Sequence, residues 1–277
     1  MPLDPRSQLF LVLGIFLLGL GLRTYAHPVL FRLGSLCILA TSFLVGYFLT
    51  GFWWVGALCA VSWFFRPWLE IIFRVRQIRL PARSTLEYRR PPSAEILPAL
   101  QVLTEQLQEE EGFEQADDAG WEWRDQQQFV RLFYKPDERL QAAICVVQQG
   151  GFGFYYVSFF SRLEDGTTFL TWNYPFAYSM KMAPEMRVNR LRGNVSLYEM
   201  LASHRALLNR AGVSPERLRP STPDQMLADI EGDMEGQIAH NLKEGLLLPE
   251  GDGTVRYSWR GCLYIWWQVL RELLRVR

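Results

Sequence analysis

Residues 33–65 form a run of 33 residues without one charged side chain. A hydrocarbon core about 30 Å thick is crossed by roughly 20 apolar helical residues. A single helix over this run would extend about 50 Å at 1.5 Å per residue, too long for one ordinary span. Thr50 and Gly51 sit near its middle and suit a tight turn, so the run divides into spans near residues 29–49 and 52–68. Arg32 falls at an end of the first and can snorkel to the interface. A water-soluble core does not accommodate so long an uncharged stretch flanked by arginines.

Residues 9–22 are also uncharged, and extending them to 7–26 gives a third run of spanning length, with Arg23 near one boundary. The rival reading is a cleaved signal peptide, since Thr24-Tyr25-Ala26 loosely fits a small-residue cleavage pattern. Against it, Arg6 is offset by Asp4 ahead of the run, and Arg23 lies close to the cut.

Basic residues beside the spans set the orientation. Between Arg66 and Arg90 seven arginines face two glutamates, a net charge of +5, while residues 1–65 carry +2 and residues 91–277 carry −7. Three spans put the Arg66–Arg90 cluster and the loop of Arg23, His27 and Arg32 on the same, cytoplasmic, side; two spans set them against each other. The expectation is a multi-pass cell-membrane anchor over residues 1–80, N-terminus outside, with a cytoplasmic domain over 91–277. Trp53, Trp54, Trp63 and Trp68 bracket the third span, as interfacial tryptophans do. Residues 68–80 mix apolar side chains with Arg and suit an interfacial helix or a continuation of the span.

Pro91-Pro92 marks a linker. Helical spacing of Ile96, Leu97, Leu100, Leu103 and Leu107 predicts a helix over 94–111. Segments 121–123, 129–134, 140–147, 154–160 and 167–172 are aromatic or β-branched and separated by turns at 135–138, 150–153 and 164–166. Such spacing predicts an antiparallel meander of four or five strands. Ser196…Glu199 and Thr222…Gln225 read as capping boxes, the second with Pro223 at the first helical position. Residues 246–259 suggest a small hairpin, and 262–276 an amphipathic, Trp-rich helix with one side for the domain and another for the membrane or a partner. The fold class is therefore α+β: transmembrane helices, then a soluble domain with an antiparallel meander flanked by helices.

Motifs that carry chemistry are scarce. The four cysteines, Cys37, Cys59, Cys145 and Cys262, show no Cys-x-x-Cys spacing. Three histidines, with no His-Glu-x-x-His run and no Gly-x-Ser-x-Gly elbow, indicate no familiar hydrolase. Gly150-Gly-Phe-Gly153 lacks the Lys of a phosphate loop and precedes a strand, so it reads as a turn. Asp229, Glu231, Asp233 and Glu235 alternate, but counting an EF-hand from Asp229 puts Met234 at the glycine position and His240 at the glutamate position. They read as the solvated acidic face of a helix. A winged-helix order of elements appears at 224–259, yet its helix is acidic where phosphate attraction needs Lys and Arg.

One constellation invites a ligand. Asp165, Thr168, Trp172, Asn173, Tyr174 and Tyr178 surround the last hairpin, and Arg187, Asn189, Arg190 and Arg192 follow in an apparent loop. Arg pairs bidentately with carboxylate or phosphate, so Arg187, Asn189, Arg190, Arg192 and Tyr174 form a candidate anionic-ligand site. The leading expectation is a non-enzymatic interaction or assembly module with a protein partner or self-association, contacting the lipid bilayer, with no cofactor, metal or nucleic acid. The alternative is a membrane-tethered enzyme or sensor that binds an anionic small molecule at 187–192.

Overall fold

The computed structural model describes residues 4–25, 27–92, 97–124, 126–149, 152–193, 195–220 and 222–274. The chain divides into two compact units, Met1–Gln77 with Cys262–Arg277, and Ile78–Gly261.

The first unit holds α1 (Pro5–Arg23), α2 (Pro28–Thr50) and α3 (Trp53–Phe73), three helices long and apolar enough to cross a membrane. Asp4 caps α1 by accepting from the Arg6 N–H, with Pro5 at the first helical position. Gly51 ends α2 at φ +74°, a left-handed conformation that makes the turn at Thr50-Gly51 possible. The helices approach through paired glycines. A methyl added to Gly34 would stand 2.6 Å from the Gly19 carbonyl oxygen, and one added to Gly56 would stand 2.6 Å from that of Phe43. Small residues at crossings are how helices associate where lipid removes the hydrophobic drive between them. Trp63 Nε1 on α3 donates to Ser42 Oγ on α2 at 2.8 Å. Outward, Leu9, Phe10, Leu17, Leu36, Leu49 and Leu58 form an exposed apolar skin. Residues 68–80 follow neither reading throughout: α3 runs through Pro67 to Phe73, a tight turn follows at Val75–Gln77, and Arg79–Pro81 is a strand.

The second unit is α+β. Its seven-stranded sheet runs β2 (Glu87–Tyr88), β3 (Glu114–Trp123), β4 (Gln126–Lys135), β5 (Leu140–Gln149), β6 (Phe152–Arg162), β7 (Thr168–Trp172), β8 (Met186–Arg190). All neighbours are antiparallel except β7 and β8, which pair in parallel from Thr168↔Met186 to Trp172↔Arg190. Strands β3 to β7 are the expected antiparallel meander, five strands long; the two-residue β2 and the parallel β8 widen the sheet to seven, and the segment read as the 187–192 loop begins as its edge strand. A separate small sheet joins β1 (Arg79–Pro81) to the hairpin of β9 (Leu247–Pro249) and β10 (Thr254–Tyr257).

Both faces of the large sheet are apolar, because β5 carries buried side chains at every position from Leu140 to Val147. On one face Phe129, Phe133, Ile144 and Phe159 pack with Leu100 of α4 (Pro98–Glu105) and with Met200 and Leu201 of α5 (Leu197–Arg210). Phe133 and Phe159 are fully buried, each worth roughly 1.5–3 kcal/mol. On the other face Val130, Leu132, Ala143, Cys145 and Leu170 meet Met226 of α6 (Pro223–Lys243).

Two local expectations change. The helix foreseen at 94–111 is α4 followed by one wider turn, Gln106–Glu110; residues 94–96 lie outside the described set. Ser196 and Glu199 do form a reciprocal capping box. Thr222 stands at the start of α6 without a side-chain capping bond, so Pro223 alone carries that signature. The turn at 150–153 has Gly150 and Gly151 outside the described residues, and β6 begins at Phe152.

Candidate functional site

The sheet face toward α6 is incompletely covered. A cleft of about 410 Å³ opens there, floored by Val130, Ala143, Cys145, Ser158 and Leu170. Its far wall is Ile230, Met234 and Ile238, four residues apart on α6 and so on one side of that helix. The connection from β7 to β8 supplies Tyr174, Tyr178, Met180 and Met182 to the rim, and β8 adds Met186. Met side chains make an adaptable wall.

The connection is held in place by the helix it faces. Asn241 of α6, fully buried, accepts from the Lys181 N–H and donates to the Lys181 carbonyl, both at 2.9 Å. Gln237 accepts from the Ala183 N–H at 3.0 Å. Two amide side chains one helical turn apart thus replace the ladder bonds that a crossover without helix or strand would otherwise lack.

Aromatic rings continue from the rim. Tyr156 meets Trp172 edge-on at 5.9 Å and Tyr174 edge-on at 5.2 Å, and Phe154 meets Phe176 edge-on at 4.8 Å. Edge-to-face packing fixes ring orientation beyond what area burial provides.

Charge enters the cleft at one place. Arg162, nearly buried on β6, lies 2.7 Å from Asp233 and 3.5 Å from Asp229, and donates to Thr168 Oγ1 at 3.0 Å. Asp229 also pairs with Arg219. Glu231 accepts from the Leu86 N–H at 2.6 Å, and Glu235 pairs with Arg83. The alternating acids of α6 are therefore engaged by the rest of the domain, which corrects their reading as a solvated face.

The thiol and phenols that line the cleft are held in their neutral forms. Burial pushes the Cys145 thiol up to about 12, only partly offset by hydrogen bonds with Tyr156 and Ser158. Burial likewise raises the phenols of Tyr156 and Tyr174. A thiol so raised is a small hydrophobe at neutral pH and not a nucleophile. Among the described residues no group of His, Cys, Asp and Glu is arranged to hold a metal ion.

The residues singled out at 174 and 187–192 do not converge on one point. Arg190 faces the cleft side, donating to the carbonyls of Tyr174 at 2.8 Å and Pro175 at 3.0 Å, with its guanidinium 5.4 Å over the Tyr178 ring. Asn189 faces the other side and donates to Ser203 of α5 at 2.9 Å. Arg187 shares that second side, where it lines an open hollow of about 570 Å³ with Arg210 and Arg217. Arg192 follows the end of β8, half-buried. Alternation along a strand is what separates Arg187 from Arg190.

A Ser–His pair also exists, deep under α5. His204 lies with Nε2 2.9 Å from Ser161 Oγ and Nδ1 3.0 Å from Thr171 Oγ1. A nucleophile must reach its substrate, and these three are only 0–1% exposed. Burial pushes His204 down to about 4, helped by neighbouring Arg205, so its neutral ring bridges two hydroxyls as a structural crosslink.

Sequence reasoning found Trp172, Tyr174 and Tyr178 but missed the cleft floor and the α6 wall. The available signals were the two-faced apolarity of 140–147 and the 230/234/238 spacing. The chain matches no protein-family model, no curated protein and no solved structure.

Proposed function

We propose that this protein is a membrane-anchored binding module, not a catalyst, whose soluble domain holds an apolar ligand in the cleft between the sheet and α6. The carrying observation is the cleft itself: about 410 Å³, within the range of small-molecule sites, and lined by Ala143, Cys145, Leu170, Ile230 and Met234. Its one strong charge, Arg162, is already neutralised by Asp229 and Asp233, so the ligand is mostly apolar with hydrogen-bonding capacity at that end. The neutral thiol and phenols at the floor favour binding over proton transfer. The domain lies on the cytoplasmic face of the cell membrane, with three spans and the N-terminus outside, because the arginines that flank the spans then share one side.

A photoreactive benzoyl-phenylalanine in place of Met234 in the full-length protein tests the binding reading. Irradiation in native membranes should yield an adduct of a small apolar molecule, lost when Ala143→Phe fills the floor. A protein-sized adduct would instead favour an assembly module with a protein partner. Absence of any adduct overturns both. Alkaline phosphatase fused after Arg277 should be inactive; activity there overturns the orientation.

The hollow of Arg187, Arg210 and Arg217 supports a second reading, an anion-responsive sensor, since three guanidinium groups favour phosphate or carboxylate. Thermal stabilisation by inorganic phosphate, abolished in Arg210→Ala/Arg217→Ala, would establish it.

A further inference from the structure

The last helix, α7 (Trp259–Leu274), has one face docked and one face open. On the docked face Cys262, Ile265 and Leu270 are buried. Trp266 donates its indole N–H to the Phe64 carbonyl of α3 at 3.1 Å. Its ring stacks on Phe65 at 6.3 Å and tilts against Trp68 at 5.9 Å. This contact falls beside Pro67 within α3: proline lacks the N–H that would bond the Trp63 carbonyl. A carbonyl freed by proline in an apolar helix needs outside donors nearby, and the Trp266 indole supplies one to the next carbonyl, that of Phe64. On the open face Leu263 and Trp267, four residues apart, are 49% and 54% exposed, and Trp259 continues the stripe one turn earlier.

We infer that α7 lies in the plane of the membrane interface, with its Leu263–Trp267 face in contact with lipid. The inference rests on the reading of α1–α3 as membrane spans. Lipid is favoured over a second protein chain by three observations. Leu263 and Trp267 belong to the same compact unit as the outward apolar residues Phe65, Leu69 and Phe73 of α3, so they continue a surface already suited to lipid. Three half-exposed side chains offer about 300–400 Å², well below the roughly 800 Å² per partner of a stable interface. At 16 residues with Arg260, Arg271 and Glu272, the helix is too short and too charged to cross, whereas amphipathy with tryptophan on the apolar side suits the headgroup boundary. Arg66 within α3, and Arg74 and Arg76 just beyond its end, outnumber Glu70, which pairs with Arg74 at 3.4 Å, and leave positive charge that phosphate headgroups attract. The binding domain is thereby tethered to the membrane at both of its chain ends, by α3 and by α7.

The test uses full-length protein labelled with 5-fluorotryptophan in phosphatidylcholine–phosphatidylglycerol nanodiscs. Fluorine signals of Trp267 and of Trp54, exposed at the start of α3, are assigned by their loss in Trp267→Phe and Trp54→Phe. Lipid spin-labelled near the headgroup should broaden both signals several-fold more than a water-soluble gadolinium chelate does. Broadening of Trp54 but not Trp267 by lipid overturns the α7 inference while leaving the spans intact. Failure of Trp54 to respond to lipid overturns the spans and the inference with them. A Trp267 signal insensitive to both agents means that protein covers the face, and also overturns it.

Discussion

The Arg162 guanidinium on β6 lies 2.7 Å from the Asp233 carboxylate on α6, joining two residues that are 71 positions apart in sequence. Asp229, one helical turn earlier, reaches the same guanidinium at 3.5 Å. The three groups close one end of the cleft and set how α6 lies on the sheet.

Removing Arg162 strands Asp233 beside the sheet, while Asp229 keeps Arg219, so Arg162→Met should destabilise the protein by about 2 kcal/mol. Asp233→Asn should cost less, about 1 kcal/mol, because Arg162 keeps Asp229 and Thr168. Thermal unfolding of the detergent-solubilised protein, followed by near-ultraviolet circular dichroism, ranks the two. Equal losses would contradict this hierarchy.

His204 predicts a pH dependence. Its folded value of about 4 lies below the unfolded value near 6.5, so the unfolded chain binds the extra proton first. The stability contributed by the neutral ring is complete above pH 6.5 and is lost as pH falls from 6.5 to 4. The loss amounts to about 3 kcal/mol across that window. His204→Gln should be less stable at pH 8 yet show a flatter profile below pH 6.5. Parallel profiles for the two proteins would show that His204 is not the titrating group.

Cys145 should resist alkylation. With its thiol near 12, the thiolate fraction at pH 8 is on the order of one in ten thousand. Peptide mapping after iodoacetamide at pH 8 should find Cys145 unmodified in the folded protein and fully modified in guanidinium. Rapid labelling in the native state would refute the buried, uncharged floor.

The glycines of the apolar helices should separate into two classes. Gly34→Leu and Gly56→Leu push a side chain into backbone 2.6 Å away and should each destabilise the helix crossings by about 1–3 kcal/mol. Gly14→Leu meets nothing within 4 Å and should be tolerated. Melting temperatures in detergent distinguish the classes; a uniform loss at all three would contradict this packing.

Much of the architecture was legible beforehand because it is written in local periodicity. The uncharged run at 33–65 with Thr50-Gly51 inside it predicted two helices and their turn, and alternation with turn residues predicted the strands from 121 to 172. The candidate site was legible only in part. Trp172, Tyr174 and Tyr178 announced themselves as an aromatic cluster, but Ala143 and Cys145 look like any core residues. Arg187 and Arg190 looked like one basic loop until strand alternation sent them to opposite faces of the sheet.

Sequence alone determined what each segment is: three helices long and apolar enough for a bilayer, an antiparallel meander, and amphipathic helices after it. These depend on side-chain spacing and turn residues, which act within about ten positions. Tertiary structure decided what meets what. The parallel pairing of β8 beside β7, the engagement of the α6 acids by Arg162, and the return of Trp266 to the Phe64 carbonyl all join residues 18 to 202 positions apart. Such contacts follow from which surfaces remain to be covered and which polar groups remain to be paired once the elements exist, and no local pattern encodes that.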